Sequence, residues 1–235
     1  MKIDAQSHRY PSVRNVVFAK HGMACSTQPL VSSIGIQAMA KGGNAIDAAI
    51  AMAGAMPVIE PACNGIGGDA FALIWTEGKL YGLNASGICP MNLTADAIRA
   101  RGFDKIPLTG WTSTIVPGAP KGWAMAHKRF GTLPLKELWA PAIKAGREGF
   151  PIQPNVEHMM KNEWVKICDA AKRDGMAPYQ GWFDTFTHDG TWYKAGELLV
   201  NPDIADTLEE LAATECESFY HGKLADAICD FSDNT

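Results

Sequence analysis

The sequence predicts an α+β fold in which helices outnumber strands, and three patterns within its 235 residues support this prediction. Residues 45–56 form an almost wholly apolar run of small side chains, which is typical of a helix enclosed by other elements. Residues 70–75 and 80–84 are apolar segments joined by a short glycine-containing turn, as in a β-hairpin. Much of the chain after residue 95 has helical patterning, so we expect helices packed on a sheet.

Composition and charge are those of an ordinary globular protein, with 47% hydrophobic and 20% charged residues. The net charge of -4 gives no electrostatic reason to expect a nucleic acid or membrane partner. No apolar segment follows Lys2, so a secretory signal is not predicted. The longest apolar stretch is too short to span a bilayer. We therefore predict one cytoplasmic domain over residues 1–235.

The cysteines and histidines show no metal-binding pattern. Six cysteines are widely spaced without a CxxC pair, and six histidines are dispersed without an HExxH motif. The cysteines are expected to be reduced and mostly buried, as in a reducing compartment. We predict neither a metal site nor an organic cofactor.

The first predicted elements are a short strand and a helix. Residues 15–19 form an apolar segment that predicts a strand. Pro29 can occupy the first turn of a helix over residues 29–41, where its missing N–H costs least. Gly42 and Gly43 are expected to end that helix, because glycine readily adopts a left-handed backbone.

The next predicted helix is the clearest element of the sequence. Asn44 can cap it, and Asp47 lies in its first turn near the positive end of the helix dipole. Because residues 45–56 are otherwise apolar on every face, this helix should be enclosed on all sides. Pro57 and Pro61 predict its end. A capping role explains Asp47 better than a role as a catalytic acid.

Later segments are mainly helical. Helices are predicted over residues 95–101, 119–130, 135–148, 155–171, 203–213 and 223–231. Residues 177–194 are rich in aromatic side chains and are expected to be irregular. Packing under a long loop explains that segment better than a lid over a substrate. Trp111, Trp123 and Trp139 are expected in the core or at a subunit interface.

A glycine-rich loop lies between the central helix and the hairpin. It contains Gly65, Gly67 and Gly68, followed by Asp69. A dinucleotide-binding loop runs from a strand into a helix, whereas this loop is expected to run from a helix into a strand. Close approach of backbone segments explains the glycines better than phosphate binding. Asp69 is expected to help order the loop, and a direct contact with substrate stays open.

A series of short motifs follows in a fixed order along the chain. They are KGGNAIDAA (41–49), EP (60–61), GIGGDAF (65–71), LNASG (83–87), VPGAPKGW (116–123), LWAPAI (138–143), EGFP (148–151), GE (196–197) and NP (201–202). Together they resemble the large-subunit region of the gamma-glutamyltranspeptidase family, over about residue 15 to the end of the chain. The GGD and NASG variants are more similar to its oxamate amidohydrolase-like branch.

This resemblance implies an N-terminal-nucleophile hydrolase with an αββα four-layer sandwich, whose central strands come from two subunits. In this family a precursor cuts itself before a threonine, whose hydroxyl then attacks an amide while its freed α-amine acts as the base. That threonine is expected downstream of Thr235, so no catalytic residue is assigned here. The expected partners are the downstream small subunit and a small amide or gamma-glutamyl-like substrate. By itself the chain is expected to be an inactive N-terminal fragment with an incomplete sheet.

The resemblance also implies a substrate-binding segment, formed by Asn84, Ser86 and Gly87. Typical members have an arginine in an Asp-x-Arg-Glu pattern that grips the substrate carboxylate in a bidentate manner. Alignment on Pro90 puts Ser86 at that position. The amidohydrolase branch often has an arginine two positions later, where this chain has Ile88. Neither position offers a cation, so a glutathione-like substrate is not favoured.

Two other functions stay open at this point. A non-catalytic scaffold or binding relative could use the same fold. A nucleotide-dependent enzyme could use the glycine-rich loop as a phosphate cradle. A serine hydrolase is disfavoured, because the sequence has no GxSxG motif.

Overall fold

The computed structural model describes residues 16–235, and within that range the chain is a helix-rich α+β protein. The helices are α1 (Pro29–Ala40), α2 (Ala45–Ile59), α3 (Ala95–Ala100), α4 (Ala119–Phe130), α5 (Leu135–Glu148), α6 (Pro154–Asp174), α7 (Gln180–Phe186), α8 (Pro202–Ala213) and α9 (Lys223–Asn234). The strands are β1 (Ala70–Thr76), β2 (Lys79–Ala85), β3 (Phe150–Pro151), β4 (Thr187–His188), β5 (Thr191–Trp192) and β6 (Leu198–Leu199). They form the antiparallel pairs β1–β2, β3–β6 and β4–β5.

The helices form a core centred on α2. Helices α1, α4 and α5 pack against α2, and α8 packs against α5. Trp139 on α5 is fully buried, and its indole N–H donates to the Ile50 carbonyl at 2.9 Å. A Cβ at Gly54 would collide with this indole ring, so the close contact between α2 and α5 requires glycine.

The start of α2 confirms the predicted capping role of Asp47. Asn44 Oδ1 accepts from the backbone N–H groups of Ile46 at 2.8 Å and Asp47 at 3.0 Å, and Asp47 Oδ2 accepts from Asn44 N at 2.8 Å. The buried carboxylate also accepts from the Thr132 hydroxyl at 2.6 Å and from the Thr132 and Leu133 amides. Burial alone would raise the pKa of Asp47, but these hydrogen bonds outweigh burial and lower it.

The end and the first turns of α2 differ from the prediction. The helix does not stop before Pro57 but continues to Ile59, and the Glu60 N–H closes one further turn. Pro57 and Ile59 are both buried, so tertiary packing overrides the local cost of proline. Ala45 and Ala49 are exposed, so the first turns of α2 are not enclosed on all sides.

The β1–β2 hairpin was correctly predicted from its apolar segments and its turn. Glu77 and Gly78 join the strands, with φ of +50° and +75°. Two consecutive positive φ values match the turn that best fits the twist of a tight hairpin.

The two faces of this hairpin are in different environments. The inner face contains Ala72, Ile74, Tyr81 and Leu83 and packs against α4 and the helical core. The outer face carries Phe71, Leu73, Trp75 and Leu80, with exposed fractions of 63%, 81%, 70% and 61%. Within residues 16–235 this apolar face is therefore uncovered.

All eight helices predicted from the sequence are present, with boundaries within three residues. Residues 177–194, however, are not irregular: they form a short 3-10 segment (Ala177–Tyr179), then α7 and the β4–β5 hairpin. Within the predicted strand 15–19, Asn15 lies outside the described residues, and the other four residues form no strand. Val17 and Phe18 there are 70% and 81% exposed, so the segment has neither a packing surface nor a pairing strand among the described residues.

The cysteines are free thiols, but the prediction that most of them are buried is wrong. Cys25, Cys63, Cys89 and Cys229 are exposed, because they lie on loops or on the exposed helix α9, whereas Cys216 is buried. Burial raises the pKa of Cys216 to about 12. In the described part of the chain, no helix has the length and apolar character needed to cross a membrane.

Candidate functional site

The three predicted substrate-binding residues Asn84, Ser86 and Gly87 lie together in an open groove of about 440 Å³. The groove is formed by the end of β2, the segment 116–118 and the first turns of α4. Its other lining residues are Ala85, Ile88, Val116, Pro117, Gly118, Lys121, Gly122, Met125 and Tyr220. Binding of a substrate by the three residues stays a prediction.

Two glycines allow the backbone segments that line the groove to pack closely against each other. The Val116 N–H donates to the Ile88 carbonyl at 3.0 Å. Gly87 has a φ of +78°, and a Cβ at this position would collide with the Val116 carbonyl. A Cβ at Gly118 would collide with the Ala85 carbonyl. Close packing of the backbone therefore explains why glycine is needed at both positions.

Asn84 and Ser86 place polar groups at the end of β2. The Asn84 side-chain carbonyl accepts from the Ser86 N–H at 3.0 Å, which fixes the turn after the strand. Asn84 pairs across the hairpin with Phe71, so it belongs to the uncovered apolar face. The Ser86 hydroxyl lies 3.5 Å from the Gly87 carbonyl, which is long for an O–H···O hydrogen bond. This hydroxyl can therefore hydrogen-bond a ligand.

The glycine-rich loop lines a different, smaller cavity of about 240 Å³. The lining residues are Gly65, Gly68 and Asp69, with Ala53, Met56, Pro57, Cys63, Asn64 and Trp123. Gly67 is not among them. The structure therefore does not bring the glycine-rich loop and the Asn84–Gly87 segment into one cavity.

The loop supports the groove from behind through a backbone contact. The Gly68 carbonyl accepts from the N–H groups of Gly118 at 3.0 Å and Ala119 at 3.1 Å, at the start of α4. The loop follows α2 and precedes β1, as the sequence predicted. This order, with its Gly68 carbonyl directed at a helix N-terminus, does not match a phosphate cradle.

A glutamate, rather than Asp69, orders this loop. Asp69 is exposed, and its carboxylate makes no hydrogen bond within the described residues. Glu60 is buried and accepts hydrogen bonds from Gln28 at 2.5 Å, Thr27 at 2.8 Å and Asn64 at 3.1 Å. These contacts connect the end of α2 to the glycine-rich loop and to the segment before α1.

Two groove residues, Lys121 and Tyr220, and a neighbour of the groove, Glu217, were not identified as functional from the sequence. Lys121 Nζ donates to Glu217 Oε1 at 2.7 Å. The Tyr220 hydroxyl accepts from the Lys121 N–H at 3.1 Å and donates to the Pro117 carbonyl at 2.7 Å. Lys121 and Glu217 are 96 positions apart, so no local pattern predicts their contact.

The electrostatics of this cluster follow from its contacts. The hydrogen bond to Glu217 raises the pKa of Lys121, and the same bond lowers the pKa of Glu217. Both side chains are therefore charged at neutral pH. Burial raises the pKa of Tyr220, so its hydroxyl keeps the proton that it donates to Pro117.

A larger cavity, of about 700 Å³, lies between α5 and α8, on helices that do not line the groove. It is lined by Lys136, Ala140, Ile143, Lys144, Arg147, Glu148, Glu209, Ala212 and Ala213. It contains none of the residues predicted to bind substrate. Residues 16–235 include no group of three or more His, Cys, Asp or Glu side chains arranged to hold a metal ion.

A helix-backed hairpin that ends in a groove with amide, hydroxyl and ammonium groups defines an α+β protein with a candidate small-molecule site. Residues 31–235 match the gamma-glutamyltranspeptidase family. The chain therefore belongs to the gamma-glutamyltranspeptidase family.

The sequences of similar proteins agree with this assignment. The chain is 32% identical over 228 residues to the glutathione hydrolase proenzyme of Bacillus subtilis strain 168, and the match covers 94% of this chain and 37% of that protein. It is 33% identical over 220 residues to the acylase ACY 1 proenzyme of Pseudomonas sp. strain V22, with coverage of 89% and 38%. The chain thus spans little more than a third of the length of these curated relatives.

Solved structures show the same similarity in three dimensions. The cephalosporin acylase from Bacillus halodurans superposes with a TM-score of 0.90 and 46% identity, over 100% of this chain and 43% of that chain. The Helicobacter pylori gamma-glutamyltranspeptidase superposes with a TM-score of 0.80 and 31% identity, over 91% of this chain and 60% of that chain.

Proposed function

We propose that this chain is the N-terminal portion of a self-processing amide hydrolase or acyltransferase, whose nucleophilic threonine lies downstream of residue 235. Membership of the family and the proenzyme names of its relatives support this proposal. The partial coverage of those relatives supports it as well. A cytoplasmic location, a single domain and the oxamate amidohydrolase-like branch stay predictions.

One structural observation carries the proposal: the outer face of the β1–β2 hairpin is apolar, and no part of residues 16–235 covers it. Phe71, Leu73, Trp75 and Leu80 form one contiguous apolar surface, which is a frequent mark of an interaction site. In a four-layer αββα sandwich, a second sheet packs on this face while helices cover the other one. Asn84 ends the same face, so strands from the downstream subunit would close the groove as well.

The chemistry would combine both portions of the protein. The threonine hydroxyl attacks the amide carbonyl of the substrate, and its own α-amine accepts the hydroxyl proton. Collapse of the tetrahedral intermediate passes that proton to the departing amine and leaves an acyl ester on the threonine. Water or another amine then releases the acyl group. In this chain, Asn84, Ser86 and Gly87 would hold the acyl part of a small amide or gamma-glutamyl-like substrate.

The proposal is tested by expressing the whole reading frame of the gene. We expect two fragments on a denaturing gel, with mass spectrometry showing a threonine at the new N-terminus. Replacement of that threonine by alanine should leave one uncut polypeptide that cleaves no amide. An uncut wild-type protein without amidase activity would instead indicate a non-catalytic relative. Amide cleavage by residues 1–235 alone would refute the proposed division of the site.

A further inference from the structure

We propose that Lys121 is the cation that selects carboxylate-bearing substrates in the groove, and that Glu217 competes with the substrate for its ammonium group. This inference rests on the proposed amide hydrolase function and names the residue that sets its substrate class. Lys121 would supply the positive charge that Ser86 and Ile88 do not provide.

The first argument is the position of Lys121. Among the described residues that line the groove, Lys121 carries the only charged side chain. It shares this groove with Asn84 and Ser86, whose polar groups lie at the end of β2. A ligand that hydrogen-bonds to these residues would therefore lie in the same groove as an ammonium group. An anionic group on that ligand would be attracted to it.

The second argument is that the fold holds Lys121 in place from two sides. The Tyr220 hydroxyl bridges the Lys121 N–H and the Pro117 carbonyl, which fixes the first turn of α4. Glu215 and Cys216 have φ of +48° and +67°, and two consecutive left-handed non-glycine residues form a strained bend. Such strain persists only where the surrounding structure holds it, and it is common at functional sites. This bend immediately precedes Glu217 and leads to Tyr220.

The third argument is that the ion pair between Lys121 and Glu217 is weak enough for a substrate to break it. The Lys121 and Glu217 side chains are 49% and 56% exposed, so solvent screens their attraction. Exposed ion pairs contribute little net stability. A substrate carboxylate can therefore replace Glu217 at small cost. Because an ammonium group is a point charge rather than a planar fork, the selectivity should be smaller than that of an arginine clamp.

The test compares two substrates with the processed full-length protein. One is the mono-p-nitroanilide of glutaric acid, and the other is its analogue with a terminal carboxamide. The readout is the ratio of kcat/KM for the acid to kcat/KM for the carboxamide. Lys121→Met should lower this ratio about fivefold, the upper range for a partly exposed ion pair. Lys121→Arg should largely retain it, and Glu217→Gln should raise it.

Lys136→Met is the matched control, since it removes another exposed helical lysine, one that lines the larger cavity between α5 and α8. This control should leave the ratio unchanged. An unchanged ratio in Lys121→Met, or an equal loss for both substrates, would overturn the inference. A lower ratio in Lys136→Met, with an unchanged ratio in Lys121→Met, would assign the carboxylate site to the other cavity.

A binding measurement separates this inference from the proposed function. Calorimetric titration of residues 1–235 with glutarate and with glutaramide needs no turnover. We expect weak binding of glutarate that falls at high salt and is lost in Lys121→Met. That result would support the role of Lys121 even if the full-length protein cleaved no amide. Equal binding of glutarate by the wild type and Lys121→Met would refute it.

Discussion

The helical core and the β1–β2 hairpin differ in how completely the described chain encloses them, and two tryptophans show the difference. Trp139 on α5 is fully buried and hydrogen-bonded to Ile50. Trp75 on β1 is 70% exposed, beside Leu80 on the opposite strand. The same residue type therefore completes a core in one region and forms part of an uncovered surface in the other.

This difference follows from the geometry of helices and strands. The α2 helix is covered by α1, α4 and α5, three elements of the same chain. A strand has two opposite faces, and the helices within the described residues cover only one face of the hairpin. We therefore interpret the helices around α2 as one nearly complete core and the outer face of the hairpin as one half of a second core. The following substitutions test this interpretation.

The largest expected effect is that of Trp139→Ala. Removal of this buried indole should lower the free energy of unfolding by about 3–5 kcal/mol, because a cavity remains and the hydrogen bond to Ile50 is lost. The matched variant Trp75→Ala should cost less than about 1 kcal/mol, since that ring is exposed. Urea unfolding of residues 1–235 measures both values. Comparable losses would mean that the outer face of the hairpin is covered within this chain.

A smaller effect is expected when the carboxylate at the start of α2 is removed. Asp47→Ala leaves the amides of Asn44, Thr132 and Leu133 without their acceptor and should cost about 3 kcal/mol. Asp69→Ala is the matched control, because Asp69 is exposed, and it should change stability by less than about 0.5 kcal/mol. Equal effects in urea unfolding would show that the buried hydrogen bonds add little.

The Asp47 prediction has a defined pH dependence. Its pKa is lowered in the folded state, so the unfolded chain binds the proton more readily. The stability from Asp47 is therefore fully present above the unfolded pKa of 3.8, and it is lost as the pH falls through the lower folded pKa. The difference in unfolding free energy between the wild type and Asp47→Ala should be constant from pH 7 to about pH 5 and shrink at lower pH. A difference that grows on acidification would contradict this sign.

The parts of the fold that the sequence predicted correctly depend on local chemistry. Asn44 and Asp47 are three positions apart, and their capping box follows from that spacing. Glycine at position 78 and the flanking apolar segments were enough to predict the hairpin. For Pro57 the local rule failed, because the buried end of α2 outweighs the cost of proline.

The parts that could not be predicted depend on long-range contacts. Lys121 and Glu217 are far apart in the sequence, so their contact could not be predicted from spacing. The bend before Glu217 places its side chain near Lys121. Asn84 and Ser86 were placed in one site by the family resemblance, and the structure shows that Lys121 lines the same groove. The prediction of buried cysteines was wrong for Cys63 and Cys89, because burial depends on the position of the thiol in the fold and not on the residue type alone.

The smallest effect on stability, but a clear effect on association, is expected at the centre of the outer face. Leu73→Thr keeps a residue that favours strands, so the free energy of unfolding should change by less than about 1 kcal/mol. Leu73 is 81% exposed among other apolar side chains, whereas Leu108 is 94% exposed in a loop. Contiguous apolar surface promotes association more than a single exposed leucine does. Leu73→Thr should therefore reduce the self-association of residues 1–235 in sedimentation equilibrium, and Leu108→Thr should not. If both variants reduced it equally, the hairpin face would have no special role, and the interpretation of this face as half of a core would fail.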